Sequence, residues 1–320
     1  MSPDDARMNA DQARRFCLAG LEVSLVDGGR PADAGEPGEH GQPSPTEPAQ
    51  REAASALAGL SDRYALYPSA GAPPELELRV ERVPGFGRDR PRGPEYPGFH
   101  SRRVGPETIA LERFDAVGEL TIPVDDDRQR PVRGWFRVGD SPNSLEAAVR
   151  IGVSVALPRR GGFIMHASAV ASAGRAAVFA GKSGAGKSTI AAMLKAHLPT
   201  LEAISDELLV LAPTGAPDSD AGPCWEAHVT PFLGSAGLEP GLRRPLGDIH
   251  FLVQAPHHRR APLERGPALR ELLRHVLVYV AEPATAARVL AAAAQLVAAV
   301  PCHRLEFAKN PAVARVLGIT

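Results

Sequence analysis

Residues 181–188 read Gly-Lys-Ser-Gly-Ala-Gly-Lys-Ser, a complete G-x-x-x-x-G-K-[ST] pattern. Glycines at 181, 184 and 186 let the backbone turn tightly and aim its N–H groups inward. With the start of the following helix, those donors form a concave anion site. Lys187 has the reach for β- and γ-phosphates, and the Ser188 hydroxyl is a ligand for Mg²⁺. An ordinary glycine-rich turn gives no reason for a Lys-Ser pair at a helix start. Two of the chain's four lysines, Lys182 and Lys187, fall in these eight residues.

Two further features have spacings that bring them to this loop. Asp206-Glu207 follows Lys187 by 19 residues, room for one helix, a turn and a short strand. The pair is then expected at the end of a strand neighbouring the one that feeds the loop. There a carboxylate can hold a metal, or position an attacking hydroxyl and accept its proton. The alternative is a solvated acidic turn. His166 lies 15 residues before Gly181. A hairpin would return it to the mouth of the loop, where an imidazole can orient a substrate or polarise a phosphate oxygen. The alternative is a satisfied core or edge histidine.

The elements that must position these groups are legible from periodicity. Ala176–Ala180 is a short apolar strand entering the loop, and Phe163–Val170 is the strand before it. Ile190, Met193, Leu194 and His197 recur at helical spacing until Pro199 stops the run. Leu201–Ser205 and Leu208–Leu211 read as strands on either side of the acid pair. Ile249–Val253 is a further strand, and Leu305 and Phe307 belong to a last one. Leu269, Leu272, Leu273, Val276, Leu277 and Val280 form a helical stripe. A second helix runs from Pro283, well placed in its first turn, to Val300. A helix near Ser144, capped by Ser141 or Asn143, buries Leu145, Ala148, Val149, Gly152 and Val153.

Upstream, strands are expected at Phe16–Val26, Glu75–Val83, Thr108–Phe114, Val117–Ile122 and Val132–Val138. Residues 28–50 are rich in Gly, Pro and acid, with too little apolar surface to offset their ordering entropy, so a flexible insertion is expected. The predicted organisation is a mostly-β N-terminal domain, 1–142, followed by a phosphate-loop domain, 143–320.

A balanced net charge of −1 gives no sequence-independent grip on nucleic acid or an anionic membrane. Three distant cysteines offer neither a zinc pair nor a disulfide framework, which fits a reducing cytoplasm. No apolar run reaches the length of a membrane span, and Ala291–Val300 reads as a buried helix. The start of the chain has no signal-peptide character. The Leu-Ser-Gly-Gly signature of cassette ATPases and the Asn-Lys-x-Asp motif of G proteins are both missing.

The stretch Gly162–Leu211, with His166, the loop Gly181–Ser188 and Asp206-Glu207, resembles the catalytic domain of HPr serine kinase/phosphorylase. It is more distantly similar to ATP-dependent phosphoenolpyruvate carboxykinase. The resemblance implies an α/β phosphate-loop domain with a mixed β-sheet flanked by helices. It assigns ATP phosphates to Gly181–Thr189 (Lys182, Ser183, Gly184, Ala185, Gly186, Lys187 and Ser188 between), Mg²⁺ to Ser188 and Glu207, and the general base to Asp206. Lys187 and His166 join Asp206 as catalytic candidates. The family's signature persists as an echo in Arg244-Pro245-Leu246-Gly247-Asp248-Ile249, and its basic loop is missing, which leaves HPr itself aside as the acceptor. His257-His258-Arg259-Arg260 is a basic run in a similar zone, either a grip on an acidic substrate or a solvated loop. The family often forms ring-like oligomers.

The expectation is a cytoplasmic ATP- and Mg²⁺-dependent kinase that phosphorylates a serine of a protein or peptide. A nucleotide-binding regulatory module with little or no catalysis is the competing expectation. Carboxykinase-type chemistry on a small molecule is a third.

Overall fold

The computed structural model describes residues 13–28, 61–87, 99–125, 127, 129–214, 224–232 and 238–319. The expected insertion beyond residue 28 lies outside the described residues. Contacts divide the chain into two units, 1–156 and 157–320. The helix expected near Ser144 therefore falls in the first unit, where the sequence reading had begun the second.

The first unit holds a seven-stranded mixed sheet of order β1-β2-β3-β7-β6-β5-β4. Its strands are β1 (Ala13–Leu18), β2 (Leu21–Asp27), β3 (Leu76–Arg82), β4 (His100–Arg103), β5 (Thr108–Arg113), β6 (Ala116–Thr121) and β7 (Val132–Val138). The single strand expected over 16–26 is a hairpin. Ala19 (φ 52°) and Gly20 (φ 79°) are both left-handed, the two-residue turn that matches strand twist. β4 went unread because none of its four residues is buried. Helix α1 (Ser61–Ala65) is short, and α2 (Pro142–Ala156) is the main helix. The α2 entry is capped as expected, with the Asn143 amide donating to Ser141 Oγ at 3.2 Å. A Cβ on Gly152 would lie 2.9 Å from a Leu78 methyl, so glycine is what lets α2 approach β3.

The second unit is built on β8 (Phe163–Ser172), β9 (Arg175–Ala180), β10 (Glu202–Ser205), β11 (Leu208–Thr214), β12 (Cys224–His228), β13 (Arg243–Gln254), β14 (Arg259–Pro262) and β15 (Cys302–Phe307). Eight strands form one mixed sheet. β8 is shared: Phe163–His166 pair with β11, while Ala167–Ser172 pair with β9. β13 runs parallel to β9 and to β15.

Alternation along β9 feeds two cores. Ala176, Val178 and Ala180 pack with α4 (Arg265–Leu273) and α5 (Pro283–Ala299). Phe179 packs on the other face with Phe307, α3 (Lys187–His197) and α6 (Val313–Leu317). Fully burying a side chain such as Phe179 is worth roughly 1.5–3 kcal/mol. α5 starts where the sequence placed it. Glu282 caps it by accepting from the Ala284 amide (3.1 Å) and the Thr285 amide (2.5 Å).

Two expectations are corrected. β10 and β11 both pair with β8, not with β9. The strands flanking the acid pair therefore do not neighbour the strand that feeds the loop, because β8 and β13 already occupy both edges of β9. The apolar stripe from Leu269 to Val280 is helical only to Leu273. Beyond it, the His275 carbonyl accepts from His166 N (2.8 Å) and Leu277 N donates to the Ile164 carbonyl (2.9 Å). Strand-like pairing with β8 thus takes over backbone groups that the helix would have used. Among the described residues, no helix is long and apolar enough to cross a membrane.

Candidate functional site

The β8–β9 hairpin turns at Ala173 (φ 48°) and Gly174 (φ 74°), which aligns Ala167 with Ala180. His166 therefore stands level with Gly181, where the loop leaves the sheet. Gly184 (φ 77°) and Gly186 (φ 100°) carry the left-handed turns of the loop. Side chains are excluded at two of its glycines. A Cβ would lie 2.8 Å from the Ala185 Cβ at Gly181, and 2.7 Å from the Phe307 ring at Gly186.

α3 starts directly from Gly186, with no side-chain cap and no acidic residue in its first turn. Its first amides are thus open to an external anion. Two contacts fix the loop against the sheet. Gln254 Nε2, at the end of β13, donates to the Gly184 carbonyl at 2.7 Å. Buried Ser168, on β8, donates through Oγ to the Lys187 carbonyl at 2.6 Å.

Lys187 is 8% exposed, and its ammonium donates to the Gly181 carbonyl at 3.0 Å and the Lys182 carbonyl at 3.4 Å. Burial lowers its pKa, and the Glu207 charge opposes that shift. Ser188 Oγ donates to the main-chain carbonyl of Asp206 at 3.2 Å. The acid pair thus lies beside the loop even though its strands are one removed from β9. The Glu207 carbonyl accepts from Ala167 N at 3.0 Å, tying the acidic turn to β8.

Although Asp206 is exposed, partial desolvation at the turn raises its carboxyl, its own amide pulls the other way, and the Glu207 charge raises it further. Neither acid forms an ion pair among the described residues. Asp206 and Glu207 are both exposed, as are Lys182, Ser183, Ser188 and Thr189. His166 is lowered by burial and then by Lys187, with Glu207 opposing, so its imidazole is neutral near pH 7.

A cavity of about 860 Å³ opens beside the loop. Its walls include His166, Gly181–Ala185, Phe251, Gln254, Arg270 and His275. His275 is lowered first by burial and next by Lys187. Of these, Gln254, Arg270 and His275 carry no sequence signal, because they belong to separate elements that meet only in the folded sheet. Ser168 was equally invisible, one small polar residue in an apolar strand.

Other candidates lie apart from the cavity. Arg244 is bonded to Glu202, with Nε 2.7 Å from Oε2, so the signature echo serves the sheet edge. The basic run is not a free loop. His257 pairs with Glu306 (3.0 Å), His258 meets Asn310 (2.9 Å), and Arg260 pairs with Asp248 (2.8 Å). Among the described residues, no group of three or more His, Cys, Asp or Glu side chains could hold a metal ion.

No protein-family model matches this chain, and no curated protein matches it significantly.

Proposed function

We propose that the second unit is an ATP- and Mg²⁺-dependent kinase domain that transfers a γ-phosphoryl group to the serine hydroxyl of a protein or peptide. The observation that carries this reading is the 3.2 Å contact from Ser188 Oγ to the Asp206 backbone. It brings an acidic turn to the hydroxyl that follows the loop lysine.

The residues have distinct tasks in this reading. Amides of the glycine loop and of the first turn of α3, through Thr189, bind the phosphates. Lys187 leaves the Gly181 carbonyl for the β- and γ-phosphates and stabilises the charge moving between them. Ser188 and Glu207 fit Mg²⁺, a hard cation that takes oxygen ligands, keeps several waters and needs no all-protein cage. When bound it would neutralise charge on the phosphate oxygens. Asp206 accepts the acceptor's proton as the serine oxygen bonds to phosphorus and the bond to the ADP oxygen breaks. Its raised carboxyl is a better base than an ordinary aspartate. His166, neutral beside Lys187, orients the acceptor or a phosphate oxygen.

Calorimetry with ATP and Mg²⁺, paired with transfer from labelled ATP to candidate acceptors, tests the proposal. Asp206→Asn should bind ATP normally and lose about 10²–10⁴-fold in transfer. Unchanged transfer in that variant refutes the base assignment. ATP binding with no transfer to any acceptor marks a regulatory module instead, and no ATP binding ends both readings.

A further inference from the structure

We propose that the cavity beside the glycine loop admits the acceptor as an acidic peptide segment, recognised by Arg270 together with Arg274 and Arg304. The position of the acceptor rests on the kinase reading above, whereas the preference for acidic residues rests on the cavity walls.

Position comes first. The Lys187 ammonium lies against the carbonyls of Gly181 and Lys182, at 3.0 and 3.4 Å, and both residues line the cavity. A loop lysine of this kind serves the β- and γ-phosphates. This end of the loop opens into the cavity, with His166 on the same wall, so a segment seated there lies beside the phosphates, while Ser188 and Asp206 are exposed outside the lining. About 860 Å³ is room for a short stretch of peptide, not for a folded domain.

Charge comes second. Lys182, Arg270, Arg274 and Arg304 line the cavity against one carboxylate, Glu271. Glu271 is already bonded to Arg274, at 2.9 Å. Arg304 leans toward Glu306 at 3.4 Å. Arg270, exposed on α4, has no ion-pair partner among the described residues. With Arg274 spent on Glu271, three of the four cations remain in excess on the walls of a chain of net charge −1, a local concentration of positive charge. Guanidinium groups bind carboxylates through paired hydrogen bonds, so glutamates or aspartates flanking a serine fit these walls. Phe251 and Pro267 supply apolar surface for the aliphatic parts of such a segment.

A nucleic acid fits less well. It needs a basic track longer than one cavity. The basic run at 257–260 is engaged by Glu306, Asn310 and Asp248.

The test uses the full chain with a non-hydrolysable ATP analogue and Mg²⁺. Two fluorescent peptides are compared by anisotropy, one with a serine flanked by glutamates and one with the same serine flanked by lysines. The acidic peptide should bind at least about tenfold tighter, with the preference shrinking as salt rises. Arg270→Glu should abolish that preference, and Arg270→Ala should fall between it and the parent. Equal binding of both peptides by the parent, or an unaltered preference in Arg270→Glu, overturns the proposal. So does a loss of ATP-analogue affinity in Arg270→Glu with the peptide preference intact, because the arginine would then serve the nucleotide. The two readings fail separately. Acidic preference without analogue binding sinks the kinase reading alone, and analogue binding without preference sinks this inference alone.

Discussion

The Lys187 ammonium lies 3.0 Å from the carbonyl oxygen of Gly181, six residues earlier in the chain. The loop thus closes on its own lysine, and the amine is held where an incoming phosphate can take it over. Burial lowers its pKa, which makes an anionic partner more valuable to it. Lys187→Met should therefore lose ATP binding at least about tenfold, since charge-assisted bonds to phosphate contribute roughly 1.5–3 kcal/mol. Calorimetry on the folded variant measures this, and retained affinity counts against the phosphate assignment.

The loop glycines should respond unequally to a methyl group. Gly186→Ala meets both a left-handed φ of 100° and the Phe307 ring at 2.7 Å. Gly184→Ala meets the φ of 77° alone, with open space around the new Cβ. Strain of this kind costs on the order of 1–3 kcal/mol, with Gly186 toward the upper end. Denaturant midpoints of the two variants give the order.

Gln254 reaches across from β13 to hold the Gly184 carbonyl at 2.7 Å. Gln254→Leu removes about 1 kcal/mol of loop support. ATP affinity should fall about fivefold while the unfolding midpoint barely moves, because the contact is exposed. A large loss of stability with normal ATP affinity would assign Gln254 to the fold rather than the loop.

His250 carries the clearest pH dependence. It stacks between Phe179, at 5.5 Å, and His303, at 5.4 Å. Burial, then the charges of Arg260 and His303, lowers its pKa to about 3 from an ordinary 6.5. Between those values the unfolded chain binds the proton and the folded chain does not. Stability is therefore full above pH 6.5 and is lost as pH falls toward 3. His250→Phe keeps the stacking and removes the titration. It should reduce the slope of stability against pH by up to about 1.4 kcal/mol per unit between pH 4 and 6. Equal slopes in the parent and the variant would refute a buried, neutral His250.

The sequence alone determined whatever depends on local chemistry or short-range periodicity. The loop from Gly181 to Ser188 needs its residue types at fixed offsets, so it is visible without a fold. α5 is equally legible, because Pro283 in its first turn and the apolar spacing up to Val300 are local signals that agree. His166 reaches the loop because Ala173-Gly174 closes a hairpin, and hairpin geometry is a short-range property.

Tertiary structure decided everything set by long-range pairing. Asp206 lies near Ser188 across β8, not beside β9, since the order of strands is a choice among hydrogen-bonding partners far apart in the chain. The stripe after Leu273 abandons the helix because His166 and Ile164 offer its backbone better-placed partners than another helical turn would. Gln254, Arg270 and Arg304 share one cavity only because β13, α4 and β15 meet there, and nothing in their neighbouring residues encodes that meeting.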